Sequence, residues 1–523
     1  MKKLLEKIHQ SWLVVGLAVG IIIGTVLMFI VRWEFFSSPV WIGFVAVLFI
    51  VAFFRPNYLT LALMVAGGMI IASVRTGFDL AGEEYIRQFG GQTVEIVATI
   101  AEDPDVDESA TSLRLKEISF GESEEAVSGV IFAKLNQEYR ELERGDKVKL
   151  KGKMSEGFGS FSGAMYRPEL IEAQKPEPRD FYLEMRNGFA ERIEKYVPEE
   201  ESKLALAYLL GMKNGLDDEL LEVLRIIGLT HIVVASGTHL GILVGGAKKI
   251  FGKLSRFAGT FFSIIFIVIF GGIIGWTASI TRAAIVTIAA LSAWYVGRRF
   301  EAWRIIILSM AATLVINPMF ATNVGWLLSF ASYIGILLVA PKIKALFYGE
   351  KEKKYIDVMS GNVLGISEEE RIIAADEGLG RKKKVVEKPA KVGKIAEIVI
   401  VTISAQLLCV PITLYYFGQI SLISVVANVL ILPTIPVVMG LTLATGALAF
   451  PIVGNILGWV VKILIDYHLV VMEFFAKQTM FVISVEAGNG WVFLLYIPLV
   501  IWLGVSAVRK VRRRKSILKN SLV

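Results

Sequence analysis

The chain is poor in several residue types that catalytic and structural sites require. It has one cysteine, Cys409, so no disulfide can form within it, and its redox compartment cannot be read from cysteine usage. It has four histidines and no His-x-His-x-Asp-His motif, which excludes a metallo-nuclease site of that type from these residues. It also contains no Gly-x-x-x-x-Gly-Lys-Ser/Thr loop, which excludes a P-loop nucleotide-driven motor.

Charged residues are scarce as well, at 20% of the chain, whereas 54% of the residues are hydrophobic and the mean hydropathy is +0.60. These values predict a polytopic α-helical membrane protein. The net charge is +7, and the basic ends MKKLLEK and RKVRRRK predict that both termini are cytoplasmic. The first apolar run, residues 11–31, is too long for a signal-peptide core and is interpreted as a retained span.

The apolar runs predict about twelve transmembrane helices in the cytoplasmic (inner) membrane. The run 421–448 contains Pro433 and Pro436, which leave open whether it crosses once or is re-entrant. The predicted regions are N-terminal transmembrane helices at 1–76, an extracytoplasmic β domain at 82–176, interfacial helices at 177–227, a main membrane domain at 228–341 and 395–508, a charged cytoplasmic loop at 342–394 and a basic cytoplasmic tail at 509–523.

The β domain is predicted from short alternating segments that are separated by turn residues, a pattern typical of a small barrel of the OB type. Lys147, Lys149, Lys151 and Lys153 fall at period two and therefore share one strand face. This lysine row could follow a phosphate backbone, or it could be the solvated face of an amphipathic strand. Twelve basic and nineteen acidic residues give the domain a net charge of −7, so any contact with DNA would have to be local.

The segment GLTHIVVASGTHLG, from Gly228 to Gly241, places polar groups inside an apolar run. Polar and ionisable groups are costly in hydrocarbon, so they indicate a site or a pathway. If one helix begins near Gly228, His231 and His239 lie about 80° apart around its axis and can face one lumen. The predicted path-lining residues are His231, Ser236, Thr238, His239, Arg282, Asn323, Ser329, Gln406 and Asn428. The alternatives are interhelical hydrogen bonding for the uncharged groups and snorkelling for Arg282.

Several of these segments resemble the ComEC-type competence family, the inner-membrane channels for DNA uptake in natural transformation. YLLGMKNGL followed by GLTHIVVASGTHLG is similar to a family run that ends in Ser-Gly-x-His. Ser279 to Ala284 resembles the family's Ser-x-x-Arg-Ala element around Arg282. NPMFATNVGWLLSF and YYFGQISLISVVANVLILPTIP are similar to later elements of the family.

The sequence departs from the family pattern at three places in these segments. Thr238 stands where the family usually has an apolar residue, and Asn323 stands in place of a usual aspartate. Trp326 and Leu327 replace an aromatic–glutamine pair. Many members also carry a C-terminal metallo-β-lactamase-like domain, and the present residues contain no such motif, so nuclease activity is not expected.

The resemblance implies a channel that passes single-stranded DNA into the cytoplasm, with no catalytic residue, cofactor or metal. The implied partners are single-stranded DNA, the lipid bilayer, a cytoplasmic ATP-driven DNA translocase, an extracytoplasmic DNA receptor and a separately encoded nuclease; the oligomeric state is open. Two alternatives are a transporter of another anionic or lipid-linked substrate and an intramembrane serine hydrolase. The hydrolase is disfavoured, because His239 follows Ser236 by only three residues and is badly placed as its base, although His468 could in principle reach Ser236.

Overall fold

The structure, a computed structural model, describes residues 7–32, 38, 40–54, 56–107, 109–121, 125–213, 215–234, 237–297, 301–348, 353–357, 363–364, 383–387, 393–448 and 450–502. The basic sequences at both ends and most of the charged loop predicted at 342–394 therefore lie outside the described residues. The chain forms two compact units, Met1–Phe330 with Leu430–Thr479 and Ala331–Val429 with Met480–Val523.

The helices are, in chain order, α1 (Ser11–Val31), α2 (Val40–Phe54), α3 (Tyr58–Arg87), α4 (Phe181–Glu194), α5 (Glu199–Leu210), α6 (Asp218–Ile226), α7 (Thr230–Val233), α8 (Gly237–Phe251), α9 (Arg256–Ile274), α10 (Ala278–Val296), α11 (Ala302–Ile316), α12 (Val324–Leu338), α13 (Ala340–Tyr348), α14 (Lys394–Phe417), α15 (Ser424–Ile431), α16 (Ile435–Ala447) and α17 (Pro451–Ala476). The strands are β1 (Thr93–Ile100), β2 (Asp105–Asp107), β3 (Ala110–Phe120), β4 (Ile131–Leu135), β5 (Lys147–Glu156), β6 (Gly163–Tyr166), β7 (Glu169–Gln174), β8 (Lys353–Asp357), β9 (Val363–Leu364), β10 (Lys383–Glu387), β11 (Gln419–Ser421) and β12 (Val482–Ser484).

Seven helical segments of the described chain are long and apolar enough to cross a membrane. They are α1, α3, α9, α10, α14, α17 and the stretch Val324–Tyr348. Helices α15 and α16, bent by 46° at a short break, make an eighth if they form one span. A membrane protein with several spans is thus confirmed, whereas the count of about twelve stays a prediction. The bend fits either a broken span or a re-entrant loop, so that alternative stays open.

Helices α1 and α3 pack closely because glycines line the face of α1 that meets α3. A methyl group at Gly20 would clash with the Val65 carbonyl, and one at Gly24 would lie 2.6 Å from the Met69 Cα atom. A Cβ atom added at Gly68 of α3 would likewise clash with the backbone of α1. Small residues four apart let helix backbones approach, which is the main way to gain packing energy where lipid is as apolar as the side chains.

The predicted β domain is a small closed barrel in the first unit. Strands β1, β3, β4, β6 and β5 pair in that order, and β5 pairs with β1 to close the ring, while β2 and β7 add to it at the side. The pairing of β4 with β6 is parallel, and the other pairings in the ring are antiparallel. The alternating apolar residues of these strands fill the barrel, with Ile96, Leu113 and Leu150 fully buried.

Two ion pairs join the barrel to the helical segment that follows it. Arg186 of α4 contacts Asp103 at 2.5 Å, and its side chain is only 7% exposed. Arg144, in the loop before β5, contacts Asp180 at 3.2 Å and donates to the Gly272 carbonyl of α9 at 2.8 Å. A buried arginine that lost its partner would be costly, so these pairs specify how the barrel attaches to α4 and α9.

We predict that Arg186 and Asp103 are energetically coupled. Arg186→Met should lower the thermal unfolding midpoint of the detergent-purified protein because it leaves Asp103 without its cation. Adding Asp103→Asn should recover part of that loss, with a coupling free energy of about 1–3 kcal/mol. The control is the exposed pair Arg140–Glu138, whose arginine is 82% exposed and whose cycle should give a coupling near zero. Equal coupling in the two cycles would contradict the prediction.

Candidate functional site

The predicted polar run from Gly228 to Gly241 does not form one helix. Helix α7 ends at Val233, Val234 has an extended backbone, and α8 begins at Gly237. The expectation that His231 and His239 share one helix face is therefore wrong. Ser236 lies outside the described residues, and so does the side chain of Thr238.

His239 lies beside this break. It is 4% exposed, and its Nε2 atom lies 3.2 Å from the Ile232 carbonyl oxygen in α7. The last carbonyls of a helix have no amide partner within that helix, so a donor from the next helix can satisfy one of them. His231 is exposed on the short helix α7. The two histidines thus have different environments, one exposed on α7 and one buried at the start of α8.

The first residue of α8 contacts the arginine of α10. A Cβ atom at Gly237 would lie 3.1 Å from Arg282 Nη2 and 3.3 Å from Ala283 Cβ. The absence of a side chain at Gly237 therefore leaves the space that the half-buried guanidinium occupies. The guanidinium carbon also lies 5.6 Å from the centre of the Phe330 ring of α12, within reach of a cation–π interaction. The two segments with the strongest family resemblance thus meet at Arg282.

Asn323, one of the predicted path-lining residues, lies immediately before α12 and caps its start. Its Oδ1 accepts a hydrogen bond from the Trp326 amide at 3.1 Å, which is the role of an N-cap side chain. A Cβ atom at Gly325 would lie 3.1 Å from this Oδ1 and 3.8 Å from Ser279 Oγ, so the start of α12 contacts the first turn of α10. Asparagine and aspartate cap equally well. Asparagine at position 323, in place of the aspartate usual in the family, therefore keeps the cap and removes a negative charge.

The tryptophan that departs from the family pattern has a structural role of its own. Trp326 is 4% exposed and donates from Nε1 to Thr313 Oγ1 of α11 at 3.0 Å. Its ring packs edge-on against Phe330 at 4.7 Å between centres. The predicted residue Ser329 is half-buried between them on α12. Trp326 thus joins α12 to α11 and packs against Phe330, the residue whose ring lies next to Arg282.

The starts of three helices of the first unit lie beside Arg282 or beside Ser279, one turn before it on α10. They are α8 at Gly237, α10 at Ala278, capped by Thr277 through the Ile280 amide at 3.5 Å, and α12 at Val324. Each helix N-terminus carries a partial positive charge from its unpaired amides. One permanent cation and three such termini make this region suitable for binding an anion. We call it the Arg282 site.

Gln406 and Asn428 belong to the second unit. Gln406 of α14 donates to Ser424 Oγ of α15 at 2.6 Å, and Ser424 donates in turn to the Ser421 carbonyl at 2.7 Å. Asn428, one turn along α15, is 3% exposed. These contacts join α14 to α15, as in the alternative in which such residues hold helices together.

The lysine row lies on one face of β5, as predicted, but acidic residues of the neighbouring strands oppose it. Lys149 forms an ion pair with Glu95 of β1 at 2.7 Å, and its hydrogen bond lowers the pKa of the Glu95 carboxyl. Lys149 is also in register with Glu172 of β7, and Lys151 with Glu169. Lys147 and Lys153 lie on the same face at the exposed surface. The geometry favours the solvated-face alternative over a phosphate-binding row.

An aromatic cluster that the sequence pattern did not predict lies on another face of the barrel. Phe132 of β4 lies 5.4 Å from both Phe158 and Phe161 of the β5–β6 loop and 6.3 Å from Tyr166 of β6. Phe158 is 47% exposed and Tyr166 is 53% exposed. Arg114 of β3 lies over the Phe161 ring at 5.7 Å. The signal was two phenylalanines inside the otherwise small and polar loop GFGSFSG.

Comparison with known proteins gives one family and one relative. A family model described as competence protein matches residues 208–510. ComE operon protein 3 of Bacillus subtilis (strain 168) is 24% identical over 262 residues, which cover 49% of this chain and 28% of that protein. The chain thus aligns with less than a third of the relative's length. No solved structure matches the chain.

We predict that the protein's stability depends on glycine at position 237, because this residue packs against Arg282. Gly237→Ala should destabilise the protein by about 1 kcal/mol, because the added methyl group would lie 3.1 Å from Arg282 Nη2 and 3.3 Å from Ala283 Cβ, and these neighbours must shift to admit it. Gly245→Ala on the same helix is the matched control: its Cβ meets nothing within 4 Å, and alanine should stabilise the helix by about 0.5–1 kcal/mol. Thermal denaturation of the purified variants measures both changes. A Gly237→Ala variant as stable as Gly245→Ala would refute the packing argument.

Proposed function

Because this chain belongs to the competence protein family, we propose that it is a membrane component of DNA uptake that passes a single strand into the cytoplasm. The observation that carries this proposal is the Arg282 site, where the guanidinium of α10 lies beside the first residue of α8 and the start of α12 contacts Ser279, one turn before it. A polyanion that crosses a bilayer needs a hydrated route whose lining replaces part of its interaction with water. A fixed cation with helix dipoles supplies that lining without any enzymatic step.

In this proposal, successive phosphates of the strand pass Arg282 in turn. Helix dipoles are held rigidly by the fold, so they favour an anion without the cost of ordering flexible side chains. An aspartate at Asn323 would offset part of the arginine charge, whereas asparagine leaves the site more positive. His239 contributes indirectly, because its contact with Ile232 supports the break that starts α8 at the site. Ser236, Thr238, His231 and Ser329 are proposed to line the same route.

The finer topology belongs to this proposal as well. The barrel is proposed to be of the OB class and extracytoplasmic, which a closed five-stranded ring with one parallel pairing supports. Both termini are proposed to be cytoplasmic in the inner membrane, with about twelve spans in all. Energy would come from a cytoplasmic ATP-driven translocase on another chain, and a DNA receptor and a nuclease would be separate proteins.

We further propose that the strand contacts the barrel through its aromatic cluster instead of its lysine row. Nucleobases stack on exposed aromatic rings whatever their sequence, and a basic side chain nearby favours the phosphates. Phe158 and Tyr166 are exposed, and Lys134 is in register with Tyr166 on the same surface. Lys149 and Lys151 of β5, by contrast, already face Glu95, Glu169 and Glu172.

A transporter of another anionic or lipid-linked substrate would use the same Arg282 site. That candidate predicts uptake of a small anion. Substitution of Arg282 would reduce this uptake, and substitution of the aromatic cluster would leave it unchanged. The serine-hydrolase candidate gains no support from the geometry, because His239 Nε2 is engaged with the Ile232 carbonyl and His468 with Thr434 at 2.6 Å.

We predict that Arg282→Ala lowers transformation frequency by about 10- to 100-fold, since hydrogen bonds to a charged group contribute about 1.5–3 kcal/mol each. DNA bound at the cell surface should be unchanged, because the substitution acts on passage. Asn323→Asp should lower the frequency less, through the opposing charge, while keeping the cap. Arg140→Ala, an exposed arginine of the barrel, is the control and should transform normally. Normal transformation by Arg282→Ala with normal protein levels would overturn the proposal.

We also predict which face of the barrel binds the strand. Phe158→Ala with Tyr166→Ala should weaken binding of an oligothymidylate to the purified protein, since each stacked base contributes about 1–3 kcal/mol. Lys149→Ala with Lys151→Ala should change the affinity little, because these lysines already face glutamates of the neighbouring strands. Fluorescence anisotropy at fixed salt measures both variants. If the lysine variant loses more affinity than the aromatic variant, the lysine row is the contact surface.

A further inference from the structure

A cavity of about 270 Å³ lies where the barrel meets the ends of the transmembrane helices in the first unit. Its volume is close to the lower end of small-ligand sites. Helices α1 and α3, the β5–β6 loop and the turn Pro318–Thr322 surround it. Its lining includes Phe29, Arg32, Glu83, Arg87, Ser160 and Thr322.

The lining has one positive charge in excess. Arg87 and Glu83 form an ion pair at 2.5 Å on one wall of the cavity, and Arg32 lies on another wall. Ser160 and Thr322 add hydroxyl groups that can donate hydrogen bonds. A group with a single negative charge and several acceptor oxygens matches this set, as a phosphodiester does.

The backbone conformation of Arg32 adds a second, independent argument. Arg32 immediately follows α1 and has φ 49° and ψ 62°, in the left-handed region. Glycine is the usual residue at such a helix end, and a larger residue there is strained. An arginine in this strained conformation indicates that its guanidinium has a binding role that glycine could not fill.

The cavity adjoins the exposed apolar end of a helix suited to crossing a membrane. Helix α1 is one of the segments suited to crossing a membrane, and its last residues Ile30 and Val31 are 72% and 56% exposed. Phe29 belongs to the same turn and lines the cavity itself. An apolar chain that continues from a phosphate in the cavity would therefore run along this end of α1.

We propose that this cavity binds the phosphodiester headgroup of an anionic phospholipid, with Arg32 and Arg87 contacting the phosphate. The lipid's chains lie against Ile30 and Val31. Because the β5–β6 loop forms part of the wall, the bound lipid joins the barrel to the transmembrane helices. This site does not depend on the proposed DNA-uptake function, and it would exist in a transporter of any substrate.

Native mass spectrometry of the full chain, purified in a mild detergent, tests the proposal directly. The wild-type protein should retain a phospholipid, and phosphatidylglycerol added back to delipidated protein should raise its thermal midpoint. Arg32→Ala should reduce the retained lipid and weaken the add-back effect by about tenfold or more in apparent affinity, through the lost charge-assisted contact. Phosphatidylcholine, whose headgroup has no net charge, should have a smaller effect.

Two further variants separate binding from folding. Ser160→Trp fills the cavity from the exposed loop while both arginines remain, and it should also reduce lipid retention. Arg140→Ala removes an exposed arginine elsewhere on the barrel and should retain lipid like the wild type. Wild-type retention by Arg32→Ala and Ser160→Trp would overturn the proposal. It would also be overturned if an oligonucleotide displaced the lipid, or if Arg32→Ala weakened oligonucleotide binding alone.

Discussion

The placement of Arg282 is the constraint on which the candidate site depends. An arginine remains charged in a membrane domain, so it needs groups around it that favour a cation or an anion that accompanies it. Here the guanidinium fits against Gly237, where α8 has no side chain, and above the Phe330 ring. Gly237 is the first residue of α8, and the capped start of α12 contacts Ser279, one turn before Arg282 on α10.

Arginines also join the barrel to the helices, in this case through ion pairs and a hydrogen bond. Arg186 and Arg144 are buried arginines whose partners, Asp103, Asp180 and the Gly272 carbonyl, come from segments far apart in sequence. Such pairs add little net stability, but mismatched partners are penalised strongly, so they specify one attachment. The proposed lipid site at the end of α1 would add a third point of attachment from the membrane side.

The lysine row of the barrel shows that a count of basic residues on one strand does not identify a DNA-binding surface. Its lysines share a face, yet the neighbouring strands supply glutamates in register, so that the face is nearly neutral. The aromatic cluster has weak sequence signals, since Phe132, Phe158 and Tyr166 come from two strands and a loop. Contact surfaces on a barrel depend on which strands are neighbours, and pairing partners cannot be read from one strand's pattern.

The sequence by itself determined the membrane class, the inserted β domain, the common face of the lysines and the segments that matter around Gly237 and Arg282. Those features are local, because hydropathy and side-chain period depend on neighbouring residues. Only the tertiary structure decided that the polar run breaks into α7 and α8, that Asn323 is a cap, and that Glu95 neutralises Lys149. These depend on contacts between residues distant in sequence, which are fixed by the way helices and strands pack together.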